Sequence, residues 1–209
     1  MLEGTGWHVM AEHYSTVEPT SKVREIPFET DLNGQKLQFV SVSGVFSFEP
    51  RIDKASFLLI KAFTPSRPDG AVLDVGCGFG PIGLCIKAAF PRLTVTMADI
   101  NSRAVEYAVL NAQRNNLHVE IIQSDLYSGL ALRKFDDVVC NPPIAAGKAV
   151  NMQLIREAAD HLAPAGSLWL TAFHNKGGET LKKIMAEVFG NVADMVKSGG
   201  IRVYRSSLG

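Results

Sequence analysis

The residues from Ala71 to Gly83 constrain this chain more than any others: Ala-Val-Leu-Asp-Val-Gly-Cys-Gly-Phe-Gly-Pro-Ile-Gly. An apolar run holding Asp74 gives way to four glycines within eight residues, and a periodic apolar segment follows at once. That pattern is a strand, a tight turn and a helix start, the place where an α/β sheet binds a nucleotide-like ligand. Glycine lets the backbone turn sharply and approach a ligand without a Cβ in the way. Two patterns fit the stretch. Gly78-Phe-Gly80-Pro-Ile-Gly83 matches the dinucleotide fingerprint G-x-G-x-x-G. Asp74-Val-Gly76-Cys-Gly78-Phe-Gly80 is instead an acidic strand end followed by alternating glycines.

Strands and helices alternate from that point on. Strands are expected at Val72 to Asp74, Leu93 to Asp99, Val119 to Gln123, Asp136 to Cys140 and Ser167 to Phe173, with two short ones near Val192 to Val196 and Ile201 to Tyr204. Helices are expected at Pro81 to Phe90, Ser102 to Arg114, Val150 to Leu162 and around Leu181 to Phe189, from apolar residues at helical spacing. Such alternation implies an α/β fold with a doubly wound, Rossmann-like, mostly parallel sheet. The two last strands, joined by Lys197-Ser-Gly-Gly, look like an antiparallel addition. Upstream, runs at Val23 to Phe28 and Gln35 to Val42 flank Asp31-Leu-Asn33-Gly34, an Asn-Gly hairpin signal, and a helix is expected from about Ile52 to Phe63. Residues 1 to 22 read as a loose lead-in. The turn-rich connector Thr64 to Gly70 divides a 1–69 segment, packed on the main domain, from a ligand-binding domain at 70–209.

Composition narrows the classes. The chain has 209 residues with 46% hydrophobic and 20% charged, enough for a packed core and against global disorder. Its 21 basic and 21 acidic residues cancel, so bulk charge does not single out nucleic acid as a partner. Three cysteines without C-x-x-C spacing give neither a disulfide framework nor a zinc site. With no secretory leader pattern and no long apolar run, the expectation is a soluble, cytoplasmic protein with no metal and no membrane contact.

Other residues join the glycine loop. Asp99 lies 21 residues after Gly78, where a carboxylate can accept from both ribose hydroxyls; the alternative is a helix cap, for which Asn101 is better placed. Asp125, after the third of these strands, suits either an adenine amino group or an ordinary turn. Asn141-Pro142-Pro143-Ile144 closes the strand Phe-Asp-Asp-Val-Val-Cys. Two prolines fix two φ angles and push their predecessors towards extended geometry. The Asn141 oxygen and the Pro142 carbonyl then offer two acceptors, which suits a planar amine with two N–H bonds. Lys148, His174 and Lys176 are candidate substrate contacts, with a capping or solvated role as the alternative for each. Phe46 either lines the site or joins the core.

These motifs together resemble the class I S-adenosylmethionine-dependent methyltransferases. More narrowly they resemble the small-domain methyltransferases related to bacterial enzymes that methylate guanine N2 in small-subunit ribosomal RNA. The matching stretches are His13-Tyr-Ser15, Gly44-Val-Phe-Ser47 with Asp53, Asp74 to Gly83, Asp99-Ile-Asn101, Ser124-Asp-Leu-Tyr127, Asn141 to Lys148 and Phe189-Gly-Asn191. The resemblance implies S-adenosylmethionine held by Asp74, Gly76, Cys77, Gly78, Gly80, Asp99, Ile100, Asn101, Asp125, Leu126 and Asn141. It implies catalysis at Asn141, Pro142, Pro143 and Ile144, and ribosomal RNA as the partner. The same amine chemistry would serve a glutamine side chain of a translation factor. Ile144 stands where many amine methyltransferases have an aromatic residue.

Overall fold

The computed structural model describes residues 16–32, 34–142 and 147–209. The His13-Tyr-Ser15 motif, most of the lead-in, Asn33, Pro143 and Ile144 lie outside them.

A two-stranded antiparallel sheet comes first, β1 (Glu25–Leu32) and β2 (Gln35–Val42), followed by α1 (Lys54–Ala62). The main unit then runs β3 (Ala71–Val75), α2 (Pro81–Ala89), β4 (Thr94–Asp99), α3 (Ser102–Arg114), β5 (Glu120–Gln123), β6 (Phe135–Cys140), α4 (Lys148–His161), β7 (Leu162–Phe173), α5 (Glu179–Phe189), β8 (Ala193–Ser198) and β9 (Ile201–Ser207). Seven of these strands form one sheet in the order β5-β4-β3-β6-β7-β9-β8. Strands β5 to β7 in that order are parallel, and β9 is antiparallel to both its neighbours. The order reverses between β3 and β6, so a crevice opens at their C-terminal ends. In open α/β sheets that crevice is where ligands bind.

The central strands β3, β4, β6 and β7 are buried on both faces, and their side chains sort by the two-residue period of a strand. Val72, Val139 and Trp169 face a core shared with α1, α2, α3 and the hairpin. Leu73, Val138, Leu168 and Leu170 face a second core with α4 and α5. The hairpin roofs the glycine loop: Phe79, 1% exposed, packs its ring against Phe28 and Phe39 at 6.1 and 6.2 Å. Asn111 of α3 pins the same region, with Nδ2 donating to the carbonyls of Val40 (3.1 Å) and Phe79 (2.9 Å) and Oδ1 accepting from Val40 N (2.8 Å).

Several boundaries differ from the sequence reading. Strand β1 starts at Glu25 and runs on to Leu32, which pairs with Gln35; Asp31 and Leu32 therefore belong to the strand. Its turn is held by Gly34 N donating to Asp31 Oδ1 at 2.7 Å. Strand β7 begins at Leu162 rather than Ser167, because Leu162 pairs with Phe135 before a register shift. Helix α4 starts at Lys148, and β9 runs past Tyr204 to Ser207. A short 3₁₀ turn at Ser128–Leu130 had no sequence signal.

Candidate active site

The glycine loop is a continuation of the β3–β4 ladder. Gly76 N and Cys77 N both donate to the Ala98 carbonyl, at 2.8 and 3.0 Å. Gly76, Gly78 and Gly80 have φ of +69°, +57° and +92°, where an L side chain is strained. Gly80 leads directly into α2, with Pro81 at the first helical position. Gly83 sits so close to β4 that a Cβ there would lie 2.7 Å from Met97 Cγ. Asp74 ties this together from behind. Its Oδ2 accepts from Gly83 N at 2.8 Å, while Oδ1 is buried without a partner. Burial pushes the Asp74 carboxyl up to about 7; the Gly83 N–H opposes this and the nearby Asp99 charge adds to it.

Asp99, at the end of β4, reaches back over the loop. Its Oδ2 accepts from Gly78 N (2.8 Å) and its Oδ1 from Asn101 N (2.9 Å). The Ile100 N–H bears on the same carboxylate, and with about four acceptor positions Asp99 still keeps capacity for a further donor. Asn101 caps α3, accepting from Arg103 N and Ala104 N, and its Nδ2 donates to the Gly44 carbonyl at 2.9 Å. That last bond fastens the Gly44–Ser47 strap over the glycine loop, where Val45 Cγ1 would stand 3.7 Å from a Cβ on Gly78. On the third strand end, Ser124 holds a tight turn: Leu126 has φ +47°, and Ser124 Oγ donates to its carbonyl at 2.9 Å.

Across the crevice, Asn141 follows β6. Its Nδ2 donates to Ser56 Oγ at 3.0 Å and to Asp53 Oδ1 at 3.3 Å. A carboxylate only accepts, so the amide nitrogen must face Asp53 and the Asn141 oxygen is the atom turned elsewhere. Asp53 is itself fixed as the α1 cap, accepting from Ala55 N and Ser56 N at 3.0 and 3.1 Å.

One cavity of about 520 Å³ joins these parts. Gly76, Cys77, Gly78, Asp99, Ile100, Asp125, Leu126, Asn141, Pro142 and Phe46 line it. Asp74, Gly80 and Asn101 do not; they shape the loop and cap α3 from behind the wall. Lys148, His174 and Lys176 are also off the wall. Lys148 begins α4 beside a separate shallow depression. His174 Nδ1 meets the Tyr204 hydroxyl at 3.1 Å. Lys176 stands at the rim, its Nζ 5.8 Å from the centroid of the Phe173 ring. Cys77 is buried and its thiol is pushed well up by that burial, so it is a small wall residue rather than a nucleophile. Sequence reading missed Ser56 and Phe173, and assigned Asp53 no task. Asp53 and Ser56 precede Asn141 by 88 and 85 residues, and no local pattern connects them. Among the described residues, no group of three or more His, Cys, Asp and Glu side chains could hold a metal, and no helix is long and apolar enough to cross a membrane.

The model of the methyltransferase small domain family matches residues 36–205. The chain belongs to that family. It is thereby one of the S-adenosylmethionine-dependent methyltransferases, and the strand order and glycine loop are those of its class I members. The uncharacterized protein YbxB of Bacillus subtilis (strain 168) is 36% identical over 94% of this chain and 98% of its own length. Ribosomal RNA small subunit methyltransferase C of Pseudomonas entomophila (strain L48) is 31% identical over 97% of this chain, which spans 60% of that relative. Among solved structures, the 16S rRNA methyltransferase RsmC of T. Thermophilus, in complex with AdoMet and guanosine, superposes with a TM-score of 0.77 at 26% identity. That match covers 90% of this chain and 51% of the other.

The family's cofactor suits the residues present. Gly76 faces the cavity with nothing within 4 Å of where a Cβ would be, so the loop leaves open space for a ligand. Asp99 keeps free acceptor capacity, and Ile100 and Leu126 give apolar walls beside it.

Proposed function

We propose that this protein methylates an exocyclic amine of an RNA base, guanine N2 of ribosomal RNA. The observation that carries this reading is the pinned amide of Asn141 on the wall opposite the glycine loop. The names of the ribosomal RNA relatives support RNA as the substrate class. A protein acting on ribosomal RNA would work in the cytoplasm, and we place it there on this reading.

Bound S-adenosylmethionine supplies an electrophilic methyl group. Gly76 and Gly78 would let the backbone approach its amino-acid end. Asp99 would accept from the ribose hydroxyls, Asp125 would accept from the adenine amino group, and Ile100 and Leu126 would give that group its apolar surroundings. Asp74, Gly80 and Asn101 keep this frame in shape. On the other side, Asn141 Oδ1 and the Pro142 carbonyl each accept one N–H of the target amine. Two acceptors fix the plane of the amine, so its lone pair faces the glycine-loop side. Orientation of this kind replaces entropy that a free encounter would have to lose. Asp53 and Ser56 keep the Asn141 amide from rotating. Phe46, Lys148 and Lys176 meet the RNA around the mouth; the catalytic part expected of Pro143 and Ile144 falls outside the described residues. His174, bonded to Tyr204, braces the turn after β7. Residues 70–209 carry the cofactor, and the 1–69 segment completes the site through α1 and the strap.

Labelled methyl transfer to unmethylated small-subunit ribosomal RNA and, in parallel, to translation release factors tests the reading. Label is expected in RNA. Label confined to protein would replace the base by a glutamine amide.

A further inference from the structure

Among the described residues, two aromatic side chains are left largely open to water, Phe46 at 48% and Phe173 at 43%. Both line the cavity. An aromatic ring exposed inside a polar-edged cavity forgoes burial that any neighbouring core would provide. The two rings serve different ends of the cavity. Phe46 rides on the strap above the glycine loop, fastened to Asn101 through Gly44. Phe173 ends β7, the strand beside β6, and Cys140 pairs with Leu170 in parallel register. Continuing that register sets Asn141 level with Thr171, so Phe173 lies two residues beyond it on the adjacent strand, within about 8 Å by strand geometry. Alternation places Phe173 on the same face as Trp169, the face covered by α1 through Phe63. Asn141 turns its amide to that face too, because Asp53 and Ser56 hold it there.

A base whose amine reaches Asn141 therefore arrives beside the Phe173 ring. Bases taken out of a stack are held by aromatic faces. We infer that Phe173 is the platform on which the target base stacks, with Lys176 at its rim placed to meet the phosphate of that nucleotide. The inference rests on the RNA-base reading above. It makes Phe173 a substrate-positioning residue, and one that acts on the base alone. The turn behind it is built to present the ring: Gly178 is buried, and a Cβ there would lie 2.8 Å from the Phe173 carbonyl oxygen.

The test uses the full chain with unmethylated small-subunit ribosomal RNA, and compares wild type with Phe173→Leu and Phe173→Tyr. Three quantities are read: KM and kcat for RNA, equilibrium RNA affinity of the S-adenosylhomocysteine-loaded protein, and S-adenosylhomocysteine affinity. Leucine keeps apolar bulk but offers no π face. It should raise KM and the RNA dissociation constant by about tenfold, the loss of one stacked base. Tyrosine should restore both to near wild type, and cofactor affinity should not move in either variant. Wild-type RNA affinity in Phe173→Leu would overturn the platform and leave the RNA reading intact. A matching loss of S-adenosylhomocysteine affinity would also overturn it, making the ring a cofactor wall. Label entering only protein in the wild-type assay would remove both readings at once.

Discussion

The two halves of the cavity are built from different materials. The glycine-loop half is mostly backbone: Gly76 and Cys77 donate to Ala98, and Gly78 donates to Asp99, all within the β3–β4 pair. The Asn141 half is mostly side chain, and its key bonds cross from β6 to the start of α1. A backbone cradle is fixed once the strands pair, and it tolerates little change in residue type. A side-chain cradle depends on a few distant partners and can be retuned by single substitutions. The first half would hold the cofactor and the second would orient the amine, so perturbing them should separate binding from rate.

The sharpest break is Asn141→Ala. Removing an oriented acceptor from a reaction centre costs roughly 10²- to 10³-fold in rate. Single-turnover methylation should fall by about that factor while S-adenosylhomocysteine affinity, measured by calorimetry, stays near wild type. A joint collapse of rate and affinity would erase the distinction between the halves.

Asp74→Asn probes the frame behind the loop. The Asp74 pKa is raised from 3.8 to about 7 by burial first, with Asp99 adding to it. Between those values the folded state keeps a proton that the unfolded chain releases. Stability is therefore lost as pH rises through that window, and the cost is complete above about pH 7. At about 1.4 kcal/mol per unit, the full swing is on the order of 4 kcal/mol. Urea unfolding at several pH values should show the variant gaining on wild type from about pH 4 to about 7, then holding a constant gap. A gap independent of pH would mean that Asp74 ionises normally in the fold.

Asp99→Ala should weaken S-adenosylhomocysteine binding by about 10- to 100-fold, the worth of hydrogen bonds to a charged group. RNA affinity should change little. Unchanged cofactor affinity would leave Asp99 only its anchoring of Gly78 and Asn101.

The smallest effect is expected from Ser56→Ala, which removes one of the two acceptors holding the Asn141 amide. A loss of about tenfold in kcat corresponds to roughly 1.4 kcal/mol, within the range for one buried hydrogen bond. Cofactor affinity and melting temperature serve as controls. An unaltered kcat would show that Asp53 alone orients the amide.

The same contrast explains what the sequence made legible. Strand–helix alternation and the glycine loop follow from local rules, since φ above zero requires glycine and a sheet buried on both faces requires continuous apolar strands. The sheet was therefore readable nearly to its ends. The start of β7 was not, because Leu162-Ala-Pro-Ala-Gly166 lacks β-branched residues and joins the sheet only through the Phe135 pairing and a register shift. Motif residues also mix two tasks. Asp74, Gly80 and Asn101 sit in the pattern but behind the wall, since holding a loop constrains a residue as tightly as touching a ligand. Ser56 and Phe173 had no local signature. One looks like an ordinary helix serine and the other like the last apolar residue of a strand; the packing of α1 brings Ser56 to Asn141, and the β6–β7 register brings Phe173.

The most direct measurement is nucleoside mapping by mass spectrometry of small-subunit ribosomal RNA, initially unmethylated, after incubation with the protein and isotopically labelled S-adenosylmethionine. N2-methylguanosine at a single position is the expected product. Label on a ring nitrogen, on a ribose oxygen or on no nucleoside at all would contradict an amine held between Asn141 and Pro142.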